Sequence, residues 1–208
     1  MAPSCQRAFL PYTPPMPTAA RKLPYEDTWN PPLISVDRYL KDEEKREQKH
    51  EFFDGRILAM AGANEKHEIA AMNLAAILHG HLRGKKCRVF KSDMKLKVLT
   101  DDKTVFYYPD IMVTCSPKDK HELYKQHPTL IIEVASSEWK RDYYEKLAAF
   151  LPIPSLKEYV VVWPNPKKPS VTIFRPETGL KPAEVHRKGS FTLQSVKLTM
   201  NVADIYAA

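Results

Sequence analysis

Two short runs, YYPDIMV (residues 107–113) and TLIIEVA (residues 129–135), constrain this chain more than any other feature. Each is apolar almost without a break, the pattern of a strand covered on both faces, and each carries a single acid, Asp110 or Glu133. Strands of this kind need packed layers above and below. A mixed α/β (α+β) fold follows, with a central mixed sheet flanked by helices.

The segments around the two runs supply those layers. SVDRYLKDEEKREQK, from Ser35, reads as a surface helix capped by Ser35, with Val36, Tyr39 and Leu40 as its apolar face. EFF and RILAM flank Asp54-Gly55, a pair that favours a two-residue type I′ hairpin turn. NEKHEIAAMNLAAILHGHLRG reads as a core helix opening at Asn64 and ending near Gly84. CRVFKSDMKLKVL alternates Met94, Leu96 and Val98 with Lys95 and Lys97, which predicts one half-buried strand with its lysines in solvent. A helix over KRDYYEKLAAFL, a strand over KEYVVVW and a meander from Ser170 complete the order. Eight of the 18 prolines fall within residues 1–32, so this arm is expected to be extended or disordered, with a single domain over residues 33–208.

Composition narrows the function classes. No apolar run approaches the roughly 20 residues of a membrane span, and prolines interrupt the N-terminal segment before a secretory signal could form, so a cytoplasmic protein is expected. Cys5, Cys87 and Cys115 are an odd, widely spaced set that fits neither a disulfide framework nor a zinc knuckle, and reduced thiols are the expectation. The formal charge of +7 favours a polyanionic partner.

Chemistry is concentrated at the two strand acids. A buried carboxylate loses several kcal/mol of hydration unless a cation or hydrogen-bond donors compensate, so acids on adjacent strands point to one shared metal ion. Hard oxygen ligands select Mg²⁺ or Mn²⁺. The alternative is two acids capping strand ends toward solvent. On charge grounds alone, replacing either acid by its amide should relieve repulsion in the metal-free protein. Lys146, on the helix after the Glu133 strand, forms either an i, i+4 ion pair with Asp142 or a cation that orients a water and offsets charge on a phosphate. His79 and His81 are two apart and face different directions, which argues against a metal site there.

Pro109-Asp110, the IIEV segment holding Glu133, and a lysine moved onto the following helix resemble the PD-(D/E)XK nuclease superfamily. HEFFDGRILAMAG, CRVFKSDMKLKV, YYPDIMVTC, LIIEVASS, DYYEKLAAF, IPSLKEYVVV and LTMNVADIYA make the chain similar to its bacterial Uma-two branch of restriction-type endonucleases, from about Ser35 to the C-terminus. The resemblance implies a restriction-endonuclease-like fold, Mg²⁺ on Asp110 and Glu133, and catalysis by Asp110, Glu133 and Lys146. It also marks Glu51, His67 and Asp93 as supporting positions. His67 would contact a water or phosphate, or else cap its helix; Asp93 would fix a turn; Glu51 would pair with a nearby cation.

The chain departs from the family pattern after the strand glutamate, where Ala135, Ser136, Ser137, Glu138 and Trp139 replace the usual serine-proline-serine-threonine loop, one residue shorter. The expected activity is hydrolysis of DNA phosphodiesters, with Arg83, Lys85, Lys86, Arg88, Lys95, Lys97, Lys140 and Arg141 holding the backbone and a homodimer as a plausible assembly. Two rivals stand beside it. One is a nucleic-acid-binding protein on the same fold without turnover, and the other is an assembly protein whose acids are satisfied by local donors.

Overall fold

The computed structural model describes residues 32–100, 103–135 and 145–207. The proline-rich arm, apart from Pro32, therefore lies outside the described residues, as do Lys140, Arg141, Asp142 and the altered loop beyond Ala135.

Helix α1 (Val36–Glu43) is capped as its sequence directs, with the Ser35 hydroxyl accepting from the Arg38 amide at 3.2 Å. It ends at Glu43, well before the predicted stop near Lys49. Strands β1 (His50–Phe53) and β2 (Arg56–Ala59) form the predicted hairpin, and Asp54 (φ 46°) and Gly55 (φ 92°) take the two left-handed positions of its turn. Gly55 is needed there for a second reason, since a Cβ would come within 2.9 Å of the Leu33 side chain.

Helix α2 (Glu65–Leu82) begins at the Asn64 cap and is followed by Gly84 at φ 75°. Then come β3 (Arg88–Lys91), β4 (Lys95–Thr100), β5 (Lys103–Tyr107), β6 (Ile111–Thr114), the short β7 (Tyr124–Lys125) and β8 (Pro128–Val134). Helix α3 (Lys146–Phe150), β9 (Glu158–Trp163), β10 (Ser170–Phe174), β11 (Glu184–His186), β12 (Ser190–Leu193) and β13 (Leu198–Asn201) follow.

The strands divide between two main sheets where one central sheet was expected. One has the order β2-β1-β5-β4-β7 and the other β11-β10-β9-β8-β6-β3, with β12 and β13 as a separate hairpin. Both main sheets are mixed, through the parallel pairs β4·β7 and β8·β9. The two apolar runs read from the sequence behave as interior strands: β6 and β8 are buried along their whole length.

Two predicted strands each turn out to be two. The segment 87–99 breaks at Ser92 (φ 53°), and 107–113 breaks at Pro109, which has no amide to donate to a ladder. At each break the chain crosses from one main sheet to the other. The two crossings are tied together, because the Ser92 amide donates to the Asp110 carbonyl at 3.0 Å.

Side chains on β8 alternate between two cores. Leu130, Ile132 and Val134 pack with α2 and the β12–β13 hairpin, whereas Ile131 and Ala135 join Leu96, Tyr107, Leu147 and Phe150 between the sheets and α3. Tyr39 of α1 closes a third cluster with Phe52 and Phe106. Burying Leu130, Ile131, Ile132 and Val134 contributes roughly 6–12 kcal/mol, which offsets the several kcal/mol of seating Glu133 in the same strand.

Two expectations are overturned in these elements. Cys87 and Cys115 are not reduced thiols but form a disulfide. The β3·β6 register, with Arg88 opposite Thr114, brings the residue before β3 and the residue after β6 face to face, a proximity across 28 residues that sequence spacing could not reveal. Lys95 is also not in solvent: it is 6% exposed, with its ammonium 5.2 Å from the Tyr108 ring. The alternation identified the two faces correctly, but α1 and the Phe106, Tyr108 and Tyr124 rings cover the face that carries the lysines. Burial, the largest influence, holds the Lys95 ammonium below its ordinary pKa against the pull of Glu43.

Candidate active site

The crossing at Pro109 places Asp110 just ahead of β6, and the antiparallel register Ile111 to Ile132 sets it beside Glu133 on β8. The link is direct. Asp110 Oδ2 accepts from the Val134 amide at 2.7 Å, and His67 Nε2 lies 3.1 Å from the same oxygen. His67 owes its position to the first turn of α2, where its own amide donates to the Asn64 cap at 3.1 Å.

Alternation along β8 turns Glu133 toward α3, which presents Lys146 from its first turn. Lys146 Nζ donates to Glu133 Oε1 at 2.8 Å, and both side chains are buried. The lysine ammonium is also 3.9 Å from Glu51 Oε1 on β1. Glu133 therefore already faces a cation, and the expectation that neutralising it merely relieves repulsion is corrected. Removing its charge would leave a buried ammonium less compensated.

These groups border one cleft of about 580 Å³, lined by Glu51, His67, Asp110, Glu133 and Lys146 together with Lys49, Glu68, Ser92, Tyr108 and the segment Met60–Ala63. Tyr108 is fixed beneath it, with its hydroxyl donating to Glu43 Oε1 at 3.2 Å, and burial raises its phenol pKa well above the usual value.

The predicted site residues thus separate into two groups. Asp110, Glu133, Lys146, Glu51 and His67 come together. Asp93 does not line the cleft: its exposed carboxylate pairs with Lys49. The described members of the basic set are dispersed as well, Lys140 and Arg141 lying outside the described residues. Arg83, Lys85 and Lys86 are exposed beyond the C-terminus of α2, about 24 Å along the helix axis from His67. Arg88 and Lys97 lie against aromatic rings, Arg88 over Phe90 and Lys97 over Phe106 and Tyr124. The cation at the cleft that sequence reasoning missed is Lys49; its nearness to the hairpin strand carrying Glu51 was the available signal.

A hard divalent cation suits the donor set. Among the described residues no cluster of three or more His, Cys, Asp or Glu side chains forms a ready-made metal cage. Asp110 and Glu133 both line the cleft, and Mg²⁺, which dehydrates reluctantly, is commonly held by one or two carboxylates plus waters and phosphate oxygens.

Comparison with known proteins agrees with this architecture. A model of the Uma2 family, described as "Putative restriction endonuclease", matches residues 36–203. The chain belongs to the Uma2 family. Two uncharacterized proteins of Synechocystis sp. are similar over most of this Uma2 domain: one is 33% identical over 133 residues (63% of this chain, 69% of that protein), the other 31% over 134 residues (62% and 75%). The crystal structure of a "putative nuclease belonging to DUF820" from Anabaena variabilis superposes with a TM-score of 0.60 at 16% identity, covering 80% of this chain and 96% of that one. The Uma2 chain thus has the restriction-endonuclease-like α+β fold. Among its described residues no helix is long and apolar enough to cross a membrane.

Proposed function

We propose that this Uma2 protein is a Mg²⁺- or Mn²⁺-dependent endonuclease that hydrolyses DNA phosphodiester bonds. The observation that carries the reading is the convergence of Asp110, Glu133 and Lys146 on one cleft, from two paired strands and the helix that follows them. Asp110 and Glu133 would hold the cation. When bound, the cation would supply positive charge against the phosphate and lower the pKa of a nearby water.

The chain's own residues do the rest. The Val134 amide and His67 fix the Asp110 carboxylate. Lys146 brings a positive charge to the cleft wall, and its burial limits the solvent screening that would weaken its attraction for a phosphate gaining negative charge. Water attacks phosphorus and gives up a proton to solvent, the bond from phosphorus to the bridging oxygen breaks, and the departing oxygen takes a proton from solvent. Lys49, which lines the cleft, would meet the phosphate backbone entering it. A cytoplasmic site of action belongs to this reading, although the Cys87–Cys115 bridge is more usual in oxidising surroundings.

Supercoiled plasmid incubated with Mg²⁺, with Mn²⁺ or with chelator tests the reading. Relaxation or linearisation that requires the cation supports it. DNA binding without any cleavage would replace it with the binding protein on the same fold.

A further inference from the structure

Lys146 sits between two carboxylates contributed by different sheets: Glu133 Oε1 at 2.8 Å from β8 and Glu51 Oε1 at 3.9 Å from β1. All three side chains are almost fully buried, at 6% (Lys146), 3% (Glu133) and 1% (Glu51) exposure. A single carboxylate would neutralise one ammonium, so a second acid at such depth costs hydration that the pair alone does not need. Its use emerges once Glu133 is engaged elsewhere. A cation on Asp110 and Glu133 would draw the Glu133 charge away from Lys146 and set a second positive centre beside it. The ammonium would then be a buried charge repelled toward a new position unless another anion held it.

We infer that Glu51 is the positioning residue that keeps Lys146 at the cleft wall when Glu133 turns to the metal, an inference that rests on the nuclease reading above. Glu51 touches neither substrate nor cation in this account. It acts through Lys146, from a strand anchored by Phe52 in the aromatic cluster under α1.

Glu133→Gln mimics, without metal, a Glu133 whose charge is spent. Lysine-side-chain ¹⁵N spectra of the full chain in chelator, with the Lys146 ammonium signal identified by its loss in Lys146→Arg, compare wild type, Glu133→Gln, Glu51→Gln and the double variant, with amide spectra reporting the fold. The signal should survive in Glu133→Gln and vanish into rapid exchange in the double variant. Its loss in Glu133→Gln alone, or its survival in a folded double variant, would overturn the inference.

If the double variant does not fold, Glu51→Gln alone decides. It should lower kcat roughly a hundredfold, as a displaced catalytic group does, with KM for plasmid unchanged and partial rescue by Glu51→Asp. Unchanged kcat would overturn the inference. A wild type that shows no cation-dependent cleavage defeats the nuclease reading instead, and the metal-free spectra still judge Glu51 independently.

Discussion

The Asp110 carboxylate reaches across from the sheet crossing to accept the Val134 amide of β8 at 2.7 Å, beside the glutamate with which it would share a cation. Asp110 is therefore both a candidate ligand and a structural acceptor, and two substitutions separate the roles. Asp110→Ala leaves the Val134 amide without its acceptor and should cost about 1–3 kcal/mol in denaturant unfolding. Asp110→Asn keeps an acceptor oxygen and should cost less. Both should abolish Mn²⁺ binding in calorimetric titration, and Mn²⁺ binding retained by both would remove Asp110 from the ligand set.

Much of this site was legible in the sequence because burial is written into composition. An acid inside IIEV or after YYP is conspicuous, and β6 and β8 are indeed buried throughout. What escaped depends on chain direction rather than composition. Ser92 at positive φ and Pro109 each move the chain between sheets, and a period-two pattern runs unchanged through such a crossing. The same blindness placed Lys95 in solvent, since alternation reports which face a residue takes and not what covers that face.

The placement of basic residues predicts an asymmetry in DNA binding. Lys49 lies at the cleft, whereas Lys85 is exposed beyond the far end of α2. Lys49→Ala should weaken plasmid binding and lower the magnitude of the log affinity against log salt slope by about 1, while Lys85→Ala leaves both nearly unchanged. Equal losses from the two variants would mean that DNA also runs along the C-terminal end of α2.

The Cys87–Cys115 bridge closes a loop with 28 residues of sequence separation, and constraining the unfolded chain to that extent stabilises by up to about 3.5 kcal/mol. Dithiothreitol should lower the urea midpoint of wild type and leave that of Cys87→Ser/Cys115→Ser unmoved. A wild-type midpoint indifferent to reductant would show that the bridge is not formed in solution.

Away from the cleft, Arg175, just after β10, bridges Glu158 of β9 at 3.0 Å and Glu184 of β11 at 2.6 Å. Burial alone would raise the Glu184 pKa, but hydrogen bonds from His186 and Arg175 outweigh it and hold the carboxyl below its ordinary value of 4.5. A carboxyl with a lowered folded-state pKa contributes stability that is fully present above pH 4.5 and disappears as pH falls through the lowered value. Urea midpoints measured at neutral pH and near pH 3 should therefore fall less for Glu184→Gln than for wild type. Identical losses would mean that the network carries no pH-linked stability.

The claim that Asp110 and Glu133 share one cation is tested most directly by crystals of the wild-type protein soaked in Mn²⁺ and examined by anomalous scattering. The account predicts a single strong peak at the cleft bonded to both carboxylates at about 2.1 Å, with Lys146 withdrawn from Glu133 and resting on Glu51. No peak there, or a peak elsewhere with the Lys146–Glu133 pair intact, would contradict it.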